Sequence, residues 1–160
     1  MATILLTGAG GGFGKLAMLA LRQRGHRVIG TLRDVHGRNA AVTAELQAAG
    51  AEVLEMDVTS DSSVEAAIAE AIEHAQRIDV VVNNAGLGVI GVQEAFTASD
   101  LQRLFDINVF GAHRVTRAIA PHLRANGGGL VVFVSRDPLN KFCEPRCDPF
   151  CLPLGAVRRS

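Results

Sequence analysis

The chain has 160 residues, 16 Lys+Arg against 16 Asp+Glu, three Cys, seven Phe, and neither Trp nor Tyr. That length suits one domain with a real core, and a formal charge of zero argues against a nucleic-acid surface, which needs a basic excess. A hydrophobic fraction of 48% with 20% charged residues is that of a globular chain, and runs such as Val80–Val82 or Leu130–Val134 are far too short to cross a bilayer. The start, Met1-Ala2-Thr3-Ile4-Leu5-Leu6, has no basic region and turns at once into glycines, so a cytoplasmic location without a membrane partner is expected.

Strand and helix signals alternate along the chain. Thr3–Thr7 predicts a buried strand. Phe13–Arg24 carries Leu16, Leu19 and Ala20 at helical spacing and stops at Gly25. Arg27–Leu32 reads as a second strand, Asn39–Ala49 as a helix ended by Gly50, and Glu52–Met56 as a third strand. Asp61–Gln76 gathers Val64, Ala67, Ile68, Ala71 and Ile72 on one face, with acids early, as the helix dipole favours. Ile78–Val82 predicts a fourth strand. Ser99-x-x-Gln102 resembles a capping box. It opens one long helix over 99–124, with Leu101, Leu104, Phe105, Val109, Val115 and Ile119 as its apolar stripe. Leu130–Val134 predicts a fifth strand after Gly127-Gly128-Gly129.

Strands apolar throughout belong in a parallel sheet covered on both faces. Repeated strand–helix units give an α/β fold, a doubly wound parallel sheet of about five strands. Residues 1–137 hold sixteen of the seventeen Gly and no Cys, whereas residues 138–160 hold four of the five Pro and all three Cys. The expected division is therefore a domain over 1–137 and an irregular Pro/Cys-rich tail over 138–160. Cys143, Cys147 and Cys151 repeat the pattern C-x-P-x, which fits no zinc spacing, and no metal site is expected.

The first strand runs into Thr7-Gly8-Ala9-Gly10-Gly11-Gly12-Phe13-Gly14. Glycines there let backbone N–H groups approach a phosphate with no Cβ in the way. The helix that follows directs its positive N-terminal end to the same place. A Gly-rich stretch between a strand and a helix at the head of a βαβ unit is a dinucleotide-binding signature.

With the spacing T-G-x-x-x-G-x-G, three further motifs follow in order: Asp57-Val58 after the third strand, Asn83-Asn84-Ala85-Gly86 after the fourth, and Asn108 within Ile107-Asn108-Val109-Phe110-Gly111. In these the chain resembles the short-chain dehydrogenase/reductase family over residues 3 to about 135. The resemblance implies a Rossmann-type domain and an oxidoreductase that moves a hydride between a nicotinamide dinucleotide and a small carbonyl/alcohol substrate. It assigns cofactor binding to Thr7, Gly8, Gly10, Gly12, Phe13, Gly14, Arg33, Asp57, Val58, Asn84, Ala85 and Gly86. It places Asn108 at the Asn of the catalytic tetrad and Ser135 at the first of the two family serines, with Arg136 where the catalytic serine is expected. Relatives that prefer NAD(H) usually carry an acid where this chain has Leu32. Arg33 suits a 2′-phosphate, so NADP(H) is favoured over NAD(H), with Asp34 one residue away as the competing ribose acceptor. The long helix 99–124 is the expected contact of a homo-oligomer.

The same comparison marks a departure. The family's proton transfer needs a Tyr with a Lys four residues later. This chain has no Tyr, and its two Lys are Lys15 and Lys141, with Asp137 four residues before the latter. The resemblance therefore implies the cofactor-binding portion of such an enzyme, truncated by a changed C-terminus and inactive as it stands. The alternatives are a non-catalytic dinucleotide-binding regulatory module and the product of a disrupted reading frame.

Overall fold

The computed structural model describes residues 1–89 and 91–135. Five strands, β1 (Thr3–Thr7), β2 (Arg27–Leu32), β3 (Glu52–Glu55), β4 (Val80–Asn83) and β5 (Leu130–Phe133), form one parallel sheet in the order β3-β2-β1-β4-β5. Between them run α1 (Gly12–Gln23), α2 (Ala40–Ala48), α3 (Asp61–Ala75), α4 (Ala98–Phe105) and α5 (Gly111–Ala125). The expected doubly wound α/β architecture is present. Its order reverses between β1 and β4, and ligands of such sheets bind in the crevice beyond the carboxyl ends of strands at that point. No described helix is long and apolar enough to cross a membrane.

Alternate residues of each strand feed two cores. Ile4, Leu6, Val28 and Leu32 pack with Met18 of α1 and Leu46 of α2 on one face. Leu5, Ile29, Leu54 and Val81 pack with Val64 and Ile68 of α3 and Val115 and Ile119 of α5 on the other. Gly25 and Gly50, at φ 81° and 75°, end α1 and α2 as their positions in the sequence suggest.

The region predicted as one helix over 99–124 is built differently. Its capping box is Thr97 with Asp100, not Ser99 with Gln102: Thr97 Oγ1 accepts from the Asp100 N–H, and Asp100 Oδ2 accepts from the Thr97 N–H at 3.0 Å. The helix is then interrupted by a π-turn, Asp106–Phe110. The added residue shifts the register, so the predicted stripe does not stay on one face. Leu101 and Phe105 are exposed, and the buried line runs through Leu104, Ile107, Val115, Ile119 and Leu123.

The rims of the sheet differ. β3 is flanked by charge, with Glu52 holding the Arg27 guanidinium through both oxygens at 2.6 and 2.9 Å. β5 is apolar, and Leu130 and Phe133 are exposed. The N–H groups of Leu130 and Val134 donate toward β4, to Asp79 O and Asn83 O. By strand alternation the backbone groups of Val131 and Phe133 face outward.

Candidate functional site

The carboxyl ends of β1 and β4 are tied together by one hydroxyl. Thr7, 1% exposed, accepts at Oγ1 from the N–H groups of Asn84 and Ala85, each at 3.0 Å. Asn84 returns the tie, its Nδ2 donating to Thr7 O at 2.9 Å and Gly8 O at 3.1 Å. These four bonds lash the glycine loop to the loop after β4 across the switch point.

Close backbone approach dictates glycine at two places here. A Cβ on Gly14 would stand 2.1 Å from Gly8 O, and one on Gly8 would stand 2.8 Å from Ala85 Cα. Gly8 and Gly12 also hold φ of 70° and 47°, where side chains are strained. Gly10 lies against Leu32, and Ala9 N–H donates to Thr31 O, which sets the loop beside the end of β2. The loop opens directly into α1. That helix has no side-chain cap and no acid in its first turn, unlike α3, capped by Ser60, and α4, capped by Thr97. Phe13 is exposed at this helix start.

At the end of β2, Leu32 is buried, and Arg33 just beyond it is exposed. Asp34, at φ 50°, turns its carboxylate into its own loop, where Oδ2 accepts from the Arg38 N–H at 2.9 Å. After β3, Asp57 Oδ1 accepts from the Thr59 N–H and hydroxyl at 2.9 and 2.7 Å. Asp57 does not cap α3, a place taken by Ser60. Burial pushes the Asp57 carboxyl up, but the two Thr59 bonds and the fields of Arg33 and Arg114 outweigh it and hold it below the ordinary value of 3.8. The carboxylate thus stabilises the fold above that value, and its contribution is lost as pH falls through the folded pKa. Asp57→Asn is expected to cost about 1 kcal/mol at pH 7, since charge-assisted bonds become neutral ones. The gap between variant and wild type should narrow in urea melts at pH 3.

Asn108 sits in the π-turn, half-buried, and both ends of its amide are used. Its Oδ1 accepts from the Leu87 N–H at 2.8 Å and its Nδ2 donates to Leu87 O at 2.9 Å. A Cβ on Gly86 would come within 3.3 Å of Oδ1. The structure therefore brings Asn108 to the loop that follows Asn84–Gly86, as a clamp on the Leu87 backbone. Asn83 points away into the core: Nδ2 donates to Thr116 Oγ1 at 3.2 Å, and the buried Oδ1 has no partner among the described residues. Ser135 follows the end of β5 and is exposed. Arg136, Lys141 and the three Cys lie outside the described residues, as does the whole segment expected to be irregular.

Three residues that pattern reading passed over also shape the site. Ser63 Oγ accepts from the Asp57 N–H at 2.9 Å, Thr116 holds Asn83, and Arg114 reaches Val58 O at 3.2 Å.

A parallel sheet with a glycine loop and an uncapped helix at its switch point defines a Rossmann-type domain. The sequence model "short chain dehydrogenase" matches residues 2–137, and the chain belongs to that family. It is 33% identical over 132 residues to 3-ketodihydrosphingosine reductase of Bacteroides thetaiotaomicron, an alignment covering 82% of this chain and 46% of that protein. The structure superposes on an alcohol dehydrogenase from Thermococcus sibiricus complexed with 5-hydroxy-NADP (TM-score 0.74, 30% identity, 86% of this chain and 59% of that one). It also superposes on 3-ketoacyl-(acyl-carrier-protein) reductase from Brucella melitensis complexed with NADH (TM-score 0.76, 29% identity, 85% and 57%). The chain spans about half the length of the curated relatives it matches.

Proposed function

We propose that residues 1–137 seat a nicotinamide dinucleotide, NADP(H) in preference to NAD(H), and that the chain does so without turning over a substrate. One observation carries the reading: the glycine loop and the uncapped N-terminus of α1 meet at the point where the strand order reverses. The pyrophosphate is assigned to Gly8, Gly10, Gly12, Phe13 and Gly14, with Thr7 bracing the loop. The adenine side is assigned to Asp57 and Val58, and the nicotinamide side to Asn84, Ala85 and Gly86. The donor set fits an anion, because the start of α1 has no side-chain cap on its amides and no acid in its first turn. When bound, the dinucleotide supplies hydride chemistry, and this chain's residues hold and orient it.

Arg33 supports the NADP(H) preference. Leu32 offers the ribose no acceptor, and the Asp34 carboxylate is engaged by Arg38 N–H. A charge-assisted pair to a 2′-phosphate contributes about 1.5–3 kcal/mol, or roughly ten- to hundredfold in affinity. Arg33→Ala is expected to bring NADPH and NADH affinities within about threefold of each other in calorimetric titration.

Among the assigned catalytic residues, Asn108 acts on the Leu87 backbone and Ser135 adds a hydroxyl. Neither replaces a Tyr as general acid, and the chain has none. The reading thus joins a cytoplasmic, small-molecule carbonyl/alcohol oxidoreductase class to a chain that binds its cofactor only. Exposed Leu101, Phe105 and Phe110 on the 98–125 segment support self-association there. The deciding experiment titrates the folded chain with NADPH and then offers a ketone or aldehyde. Binding with constant NADPH absorbance is expected. Absence of binding removes the cofactor assignment, and steady oxidation of NADPH removes the claim of no turnover.

A further inference from the structure

We propose that Arg114 is a positioning residue for the dinucleotide: its guanidinium fixes the Asp57–Thr59 turn and the π-turn bearing Asn108 in one relation, so that one side chain sets both flanks of the site. The inference rests on the dinucleotide reading above.

The contacts converge from three elements. Arg114 lies on α5, with its side chain about four-fifths buried. Its Nη1 donates to Val58 O at 3.2 Å and to Asp106 O at 3.4 Å, and pairs with Asp106 Oδ1 at 2.7 Å. Its Nε stands 3.6 Å from Asp61 Oδ2, at the first residue of α3. Asp106 O also receives the Gly111 N–H, the bond that closes the widened turn. Arg114 therefore holds the start of the π-turn through both its carbonyl and its carboxylate. The same Nη1 reaches the adenine-side turn at Val58 O, so one nitrogen joins the two segments. Beside it the two segments meet with no slack, since a Cβ on Gly111 would stand 2.8 Å from Val58 Cγ2.

The lever arms are short. Val58 adjoins Asp57, whose Oδ1 organises Thr59. Asp106 stands two residues before Asn108, which clamps Leu87 through both amide atoms. The planar guanidinium also presents Nε to Asp61 Oδ2 at the start of α3, so its orientation is fixed from a third segment while Nη1 holds the two turns. Movement of a few tenths of an ångström at either turn misplaces groups that must act on one ligand.

The test compares wild type with Arg114→Met by NADPH titration and amide hydrogen exchange, under conditions where both show cooperative melts. Affinity is expected to fall at least tenfold. The Thr59 and Leu87 amides should exchange at least tenfold faster relative to the amides of β1. Unchanged affinity in folded Arg114→Met overturns the proposal. So does an exchange increase that is uniform through the sheet, which marks a merely structural residue. If Arg114→Met does not fold, Asp106→Asn replaces it: a threefold or greater loss with the Leu87 amide loosened supports the proposal, and no change overturns it. Wild type that fails to bind NADPH instead removes the dinucleotide reading and this proposal with it, a result distinct from a binding wild type and an unaffected variant.

Discussion

Thr7→Val should be the most destabilising single-atom-scale change in the site. The substitution keeps the shape of a side chain that is 1% exposed and deletes the oxygen that receives the Asn84 and Ala85 amides. Each orphaned, partly buried N–H costs about 1–3 kcal/mol, so the pair costs about 2–6 kcal/mol. For a domain of this size that lowers Tm by roughly 5–20 °C. Thr7→Ser retains the hydroxyl and gives up one methyl, about 1 kcal/mol. Calorimetric melts of the two variants separate the hydrogen bonds from the packing. A Thr7→Val melt no lower than that of Thr7→Ser would show that the hydroxyl is not what joins β1 to β4.

Gly14→Ala should have the largest effect on binding. A methyl group there meets Gly8 O at 2.1 Å and Asn84 Nδ2 at 2.7 Å. The closer contact is with Gly8 backbone, which has no rotamer to escape into, and the other is with the Asn84 side chain that makes the loop bridge. Overpacking of this kind costs about 1–3 kcal/mol. Relief requires the first turn of α1 to move off the loop, which separates the helix end from the glycine amides. NADPH affinity is expected to drop by more than about a hundredfold, the joint loss of orientation and charge-assisted bonds. Gly11→Ala is the matched control. Gly11 has an ordinary extended backbone, φ −153°, and its added methyl meets nothing within 4 Å. Its stability should stay within about 0.5 kcal/mol of wild type.

Much of this was legible beforehand, for reasons that differ between elements. Strands that are apolar on both faces announce themselves as runs, so β1 and β2 match their expected bounds, and β5 lies within one residue. Gly25 and Gly50 ended helices where a left-handed residue was required. The region after residue 96 was harder, because two Ser/Thr-x-x-polar patterns overlap and only geometry selects Thr97 with Asp100. An inserted residue in a helix leaves no periodic trace, so a stripe extrapolated across the π-turn assigned Leu101 and Phe105 to the core. At the site, the loop residues were legible because glycine is itself the signal. The partners of Asn108 and Arg114 were not, since both reach backbone carbonyl groups far along the chain: Leu87 is 21 residues from Asn108, and Val58 is 56 from Arg114. Nothing in local sequence marks a carbonyl as an acceptor for a distant side chain.

The contrast between the two rims of the sheet has a dynamic corollary. Among the described residues, β1 lies between two paired strands with helices on both faces, whereas β5 pairs with β4 alone and carries exposed Leu130 and Phe133. Cooperative units with few buried contacts open first. Transient detachment should start at β5 and travel inward through β4, leaving β1 and β2 as the last pair to separate. The nicotinamide-side loop, borne on β4, thus stands nearer the fraying margin than the glycine loop on β1, and the two halves of one pocket inherit unequal lifetimes.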